Sequence, residues 1–302
     1  MIRMQRTIKN SISCDGIGLH TGKPVQVVLK PARVDTGVVF VRTDLEGAEI
    51  AASTANTAAT SYATTLSQNG AFVKTVEHLL AAFAGLNIDN VIIEIDSEEV
   101  PIMDGSARPF IRLITAAGIQ VQAKCQPVLK VIKPIFVREG NKQIAIWPAE
   151  SAGISYFIDF NHPMLKEQSF QYKPSEEAFL REVVDARTFG FLSDVRTLQA
   201  NGLAKGGSMN NAVVLDEDTV LNKEGLRYKD EFVRHKILDL IGDFSLVGKP
   251  IIGHIVAHKS GHALNAQMVN KLMNSPQHWV LLGSSKEVTA RQQTMQYQHA
   301  AL

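Results

Sequence analysis

A chain of 302 residues with 45% hydrophobic and 20% charged residues has the composition of a globular protein and the length of about two domains. Lys+Arg 31 against Asp+Glu 30 leaves a net charge of +1, which excludes the broad basic footprint of a nucleic-acid or anionic-membrane binder. No window nears the roughly 20 apolar residues of a spanning helix, Met1–Asn10 lacks a secretory h-region, and Cys14 and Cys125 have no metal-type spacing, so the chain is expected to be cytoplasmic.

Alternating apolar residues predict strands at Val25–Leu29 and Gly37–Val41, then a helix over Phe72–Gly85. A strand at Asn90–Ile95, a turn at Met103–Ser106 and a helix ending near Ala117 follow. The pattern restarts near Gln122–Pro127, with strands at Val128–Val137, Gln143–Trp147 and Ile154–Phe160. A helix over Ser175–Ala186 has Ser175 as its N-cap and Pro174 just outside it. A helix over Phe232–Val247, a strand at Ile251–Ala257, a turn and a last helix follow. This organisation predicts domains at 1–124 and 125–285, with a loosely held polar tail at 286–302.

The two halves share a pattern. His78 lies seven residues before Gly85 on one helix, and His235 lies seven before Gly242 on the other. Each helix is followed by a connection, a strand, a turn and a further helix. This reads as one supersecondary unit used twice, and equivalent helices packed face to face would point both histidines into one cleft.

At 100° per residue, Val233, Ile237, Leu240, Ile241 and Phe244 form an apolar face, while His235, Asp239 and Asp243 fall on one line opposite. Such a line on an isolated helix is ordinarily solvated surface charge. Here Phe232 and Leu246 flank it, Gly242 sits beside it, and no surface-type Lys or Glu interrupts it. Imidazole and carboxylate one turn apart suit a tetrahedral metal such as zinc, with Asp243 available behind the ligands. On the Phe72–Gly85 helix, Val73, Val76, Leu79, Leu80 and Phe83 face the core, and His78 lies among Ala81, Ala82 and Gly85. A lone His beside Glu is usually surface, yet Glu77 next to a ligand also provides a base beside a metal site.

Other patterns point nowhere specific. His258 and His262 straddle a strand-to-helix junction, so their rings need not face one way, and His262 fits a helix N-terminus with a structural or capping role. Gly16–Gly18 and Gly206–Gly207 lack nucleotide-loop spacing, no Gly-x-Ser-x-Gly elbow occurs, and Asp104–Ser106 reads as a turn. For His20 a structural hydrogen bond is expected.

Six motifs in order carry a resemblance. Thr75-Val-Glu-His-Leu79, Pro101-Ile-Met-Asp-Gly-Ser106, Asp159-Phe-Asn-His-Pro163, Asp185-Ala-Arg-Thr-Phe-Gly190, His235-Lys-Ile-Leu-Asp239 and Lys259-Ser-Gly-His-Ala-Leu-Asn265 resemble the UDP-3-O-acyl-N-acetylglucosamine deacetylases of Gram-negative lipid A biosynthesis. The likeness runs from about Arg3 to Ala290. It implies an α+β fold of two similar helix-on-sheet domains packed helix-to-helix, each a two-layer sandwich. A small strand insert belongs to the first and a βαβ insert, about 188–222, to the second.

The resemblance implies one catalytic Zn²⁺, with Fe²⁺ the other metal the family admits, held by His78, His235 and Asp239. Glu77 corresponds to the general base, and His262 to the cationic general acid, oriented by Asp243. Thr188 corresponds to the oxyanion donor, and Lys236 to a residue for phosphate or developing charge. Phe160, Lys142 and Lys259 match positions contacting UDP or sugar. Phe189, Leu192, Val195, Leu198, Ala204, Gly207, Ser208, Ala212 and Val214 match a tunnel for the acyl chain, though an ordinary small βαβ core gives the same pattern. Many relatives carry cysteine where this chain has Ala63 and Thr65.

The activity so implied is hydrolysis of the N-acetyl group of UDP-3-O-[(R)-3-hydroxyacyl]-N-acetylglucosamine, the committed step of lipid A biosynthesis. The partner is an acylated UDP-sugar, with no nucleic acid, no stable membrane insertion and a monomeric state. Two alternatives stay open: a zinc hydrolase of a different acylated nucleotide sugar, and a non-catalytic binding module with a structural metal.

Overall fold

The computed structural model describes residues 3–283, and the polar tail expected at 286–302 lies outside them. Two five-stranded sheets organise the fold. The first runs in the order Ile12–Ile17, Pro24–Pro31, Val91–Ile95, Val38–Arg42 and Ala48–Ala51. The second runs Ile135–Glu139, Lys142–Trp147, His254–His258, Gly153–Ile158 and Gln168–Tyr172. In each, the central strand pairs antiparallel with one neighbour and parallel with the other, and the outer pairs are antiparallel. The duplicated sequence unit is matched by a duplicated pairing pattern, and the fold is α+β.

Six helices complete it among the described residues: α1 (Glu77–Gly85), α2 (Arg108–Ala117), α3 (Glu176–Glu182), α4 (Leu192–Ala200), α5 (Glu231–Ser245) and α6 (His262–Met273). The equivalent helices α1 and α5 pack on each other, and α6 packs on α5. Leu79, Leu80 and Phe83 of α1 and Val233, Ile237 and Leu240 of α5 are buried in one continuous core. None of these helices is long and apolar enough to cross a membrane.

Gly242 sets how closely α5 approaches α1. A Cβ there would stand 2.1 Å from the Glu77 carbonyl oxygen and 2.8 Å from its carbon. Both are backbone atoms of a helix, so neither can rotate away. Gly242→Ala must therefore push the helices apart, an overpacking cost of about 1–3 kcal/mol. A drop in the urea midpoint measures it, and an unchanged midpoint would show that the seam tolerates a methyl group.

Several predicted boundaries move, each for a local reason. The helix expected from Phe72 begins at Glu77, because Ala71–Val73 is a strand. That strand joins Thr65–Gln68 and Thr57–Ala59 in a three-stranded sheet, the strand insert of the first half. Thr75 separates strand from helix with a φ of 57°, unusual for a β-branched residue. The strand expected over Val128–Val137 is two, Val128–Val131 and Ile135–Glu139, divided at Pro134, which has no N–H for a ladder. The first piece joins Ile251–Ile252 and Trp279–Leu282 in a separate sheet. The helix capped by Ser175, whose Oγ accepts from the Ala178 N–H at 3.0 Å, ends at Glu182 rather than Ala186, because Val183 turns out of helical geometry at φ −126°.

Arg3–Ile8 pairs with Ile119–Gln126, so the chain start closes on the end of the first half. The segment after Thr188 forms the expected βαβ unit, with Phe189–Phe191 parallel to Val213–Leu215 and α4 between them.

Candidate active site

The α1–α5 seam gathers the site. His235, Asp239 and Asp243 are only 2%, 3% and 3% exposed, so the solvated-surface reading of their line fails. His78, from the other half, brings its ring within 4.9 Å of that of His235, edge to face. The ligand atoms of His78, His235 and Asp239 lie within 4.8 Å of one another.

The geometry of this cluster suits a cation. His235 Nδ1 donates to the Ala186 carbonyl at 3.0 Å, which turns Nε2 toward the cluster as the ring nitrogen available to a metal. That nitrogen stands 3.2 Å from Asp239 Oδ1, and His78 Nε2 stands 3.5 Å from the same oxygen. Asp239 Oδ1 is buried and receives no hydrogen bond. Two imidazole nitrogens and an orphaned carboxylate oxygen converging on one point fit a metal ion with two imidazole ligands and one carboxylate. Burial lowers the His78 pKa, which favours the neutral ring a metal needs. Burial opposes the Asp239 charge, but His235 and Lys236 prevail and hold it well below the usual range. Lys236 Nζ reaches Asp239 Oδ2 at 2.6 Å.

A buried carboxyl group and an imidazole flank the cluster. Glu77 opens α1, 3% exposed, and burial lifts its carboxyl to about 7, with His262 pulling it down and Asp243 and Asp239 pushing it up. His262 opens α6, and its Nε2 lies 3.9 Å from Glu77 Oε1 and 4.0 Å from Asp239 Oδ2. Its Nδ1 donates to Asp243 Oδ2 at 2.9 Å. Burial works against its charge, yet Asp243, Glu77 and Asp239 raise it to about 10, so the ring is cationic at neutral pH. Asp243 also accepts from Asn265 Nδ2 at 2.8 Å and from Thr64 Oγ1 at 2.6 Å.

The remaining predicted residues divide. Thr188 lines the same cavity of about 190 Å³ as Glu77, His78, His235, Lys236, Asp239 and His262. A buried ion pair holds it there: Arg187 Nε meets Glu231 Oε1 at 2.8 Å, locking the Ala186–Thr188 turn on the start of α5. Phe189 also lines the cavity, and Phe160 packs edge to face on it at 5.9 Å. Leu192, Val195 and Leu198 share one face of α4, all half-buried, and no residue of α4 is fully buried. A closed βαβ core would bury that face. Ala204 and Val214 are buried, Gly207 and Ala212 half-buried, and Ser208 exposed. Lys259 pairs with Asp159 at 2.7 Å, whereas Lys142 is exposed at the start of its strand, outside the cavity lining.

Two expectations need correction or completion. The His20 ring is buried but makes no hydrogen bond through either nitrogen; its backbone bonds instead, the N–H donating to Glu99 Oε1 at 2.9 Å and the carbonyl accepting from the Lys205 N–H at 3.3 Å. The loop folds around the fully buried Glu99, and the ring is left facing Tyr62 at 6.5 Å. His258 Nδ1 donates to the Asn141 carbonyl at 3.3 Å, so it forms no pair with His262. Sequence reading gave no sign of Thr64 and no role to Asn265, the last residue of a quoted motif, because a loop threonine and a helical asparagine carry no pattern of their own. A larger cavity of about 310 Å³ lies along the same two helices, but apolar residues such as Leu80, Phe83, Phe179 and Phe244 line it, and its Asp89 is paired with Arg3.

Comparison with known proteins agrees with this geometry. The family model described as LpxC, UDP-3-O-acyl N-acetylglycosamine deacetylase, matches residues 5–274. The chain is 49% identical to UDP-3-O-acyl-N-acetylglucosamine deacetylase of Syntrophus aciditrophicus, over 91% of this chain and 88% of that protein. It is 51% identical to the protein of the same name from Myxococcus xanthus, over 90% and 87% of the two chains. For that of Teredinibacter turnerae the identity is 46%, over 95% of each. With the match spanning both halves and every element of the seam, the chain belongs to the UDP-3-O-acyl N-acetylglycosamine deacetylase family.

Proposed function

We propose that this protein hydrolyses the N-acetyl group of UDP-3-O-[(R)-3-hydroxyacyl]-N-acetylglucosamine, releasing acetate for the committed step of lipid A biosynthesis. The observation that carries this reading is the convergence of three ligand atoms within 4.8 Å beside an acid–base pair 3.9 Å apart. His78, His235 and Asp239 hold Zn²⁺, with Fe²⁺ the alternative ion. When bound, the metal lowers the pKa of water and polarises the acetyl carbonyl. Three protein ligands, rather than the four of a structural site, favour catalysis over a binding module.

Glu77 takes the proton of the attacking water. His262, held charged by Asp243, gives a proton to the leaving amine. The Thr188 hydroxyl donates to the developing oxyanion, and Lys236 balances charge beside Asp239. Phe160, Lys142 and Lys259 attend the UDP-sugar, and the acyl chain lies along the half-buried face of α4. The halves act as domains 1–124 and 125–285, in a monomeric, cytoplasmic enzyme that takes an acylated UDP-sugar.

Acetate release from the acylated substrate and from plain UDP-N-acetylglucosamine tests this. Four methylenes buried at ~0.8 kcal/mol each are already worth about 200-fold, so kcat/KM should fall by at least that when the acyl chain is removed. Equal rates would overturn the tunnel and point to a different nucleotide sugar. Metal retained with acetate released from neither substrate would leave the binding-module reading.

A further inference from the structure

We propose that Thr64 is a positioning residue that locks the base Glu77 and the acid His262 into one register across the α1–α5 seam. The inference rests on the acid–base assignment above and adds a residue to it. Thr64 is 2% exposed and sits in the loop just before the strand Thr65–Gln68. Each of its polar groups is spent on the site. Its N–H donates to Glu77 Oε2 at 3.0 Å, and its carbonyl accepts from the Val76 N–H, one residue before α1, at 3.4 Å. Its hydroxyl donates to Asp243 Oδ1 at 2.6 Å and lies 3.3 Å from His262 Nδ1.

These contacts close a loop through both halves. Glu77 and Thr64 belong to the first half; Asp243 and His262 belong to the second. Asp243 Oδ2 takes the imidazolium N–H and the Asn265 amide, so Oδ1 is left for the Thr64 hydroxyl. Without that hydroxyl, Asp243 has a buried oxygen with no donor. The carboxylate is then free to turn, and the ring it orients turns with it. Because the same residue holds Glu77 through its backbone, a shift of the Thr64 loop moves base and acid relative to each other. Reaction geometry is sensitive at that scale. The metal ligands do not contact Thr64 through any of these bonds.

Thr64→Val keeps the shape and removes only the hydroxyl, whereas Thr64→Ser keeps the hydroxyl and removes only the methyl. In the zinc-loaded protein, Thr64→Val should retain full metal content and lose about 10- to 100-fold in kcat. KM should stay within about threefold, since no ground-state contact to substrate is removed. Thr64→Ser should recover kcat to within about threefold of the parent. A second readout needs no substrate: the proton resonance of the His262 Nδ1–H should shift or broaden in Thr64→Val and keep its position in Thr64→Ser.

Parent-like kcat in Thr64→Val, or equal impairment in Thr64→Ser, would overturn the proposal in favour of a packing role for the methyl. If the parent itself releases no acetate, the functional reading fails, and the His262 resonance still decides the role of Thr64. An unmoved resonance in Thr64→Val would then refute it.

Discussion

Glu77→Gln should lower kcat about 10³-fold while one metal per chain is retained, the loss expected when a positioned general base is removed. That is about 4 kcal/mol of barrier. The substitution keeps size and an oxygen for the Thr64 N–H, so the loop and α1 stay in place. Glu77 is not among the clustered ligand atoms, and metal analysis should not register the change. Stability supplies an independent check. Burial lifts the Glu77 carboxyl from 4.5 to about 7, so in that window the folded, metal-free chain binds more protons than the unfolded one. Stability from this group therefore falls as pH rises from about 4.5 to 7. Glu77→Gln lacks that penalty, so the metal-free variant should unfold no more easily than the parent at pH 8. An inactive variant as stable as the parent isolates the proton transfer. A variant with normal turnover would remove Glu77 from the chemistry.

The sequence made the clustered His78, His235 and Asp239 legible because helical periodicity is strong where it matters. His235, Asp239 and Asp243 recur every fourth residue on a helix whose other face is continuously apolar, and the His-to-Gly spacing repeats in α1. Two regular patterns facing each other imply one cleft, and the structure places it on the α1–α5 seam. Boundaries were harder. Val73 and Val76 suit a helix and a strand alike, and only the left-handed Thr75 separates them. Val128–Val137 is uniformly β-like, so a break at Pro134 and recruitment to another sheet depend on partners far away, Ile251–Ile252 and Trp279–Leu282. Thr64 was least legible. Its partners Asp243 and His262 lie 179 and 198 residues further on, and no local pattern marks a threonine whose role is tertiary. Lys142 shows the converse: a matching family position implies a contact with substrate, while the fold leaves the side chain exposed outside the cavity lining.

Asp239→Ala should abolish metal binding, and with it acetate release, because it removes the one anionic ligand from a set of three. The loss should exceed the 10- to 100-fold that outer-shell changes cost in metal affinity. His78→Ala should do the same from the opposite helix, since the site exists only where α1 and α5 meet. That shared position has a consequence for stability. A metal held by His78 on one side and by His235 and Asp239 on the other ties the two halves together. At a free metal concentration about 1,000 times Kd, binding adds about 4 kcal/mol, a rise in Tm on the order of 10 °C for a chain of this length. Chelation should therefore lower the Tm of the parent by that order and leave Asp239→Ala unmoved, because nothing remains there to remove. The metal-free parent still carries a buried carboxylate oxygen with no hydrogen bond, facing two imidazole nitrogens, and a bound cation relieves that arrangement. A parent whose Tm ignores chelation would mean that the cluster holds no ion and that the seam is tied by packing alone.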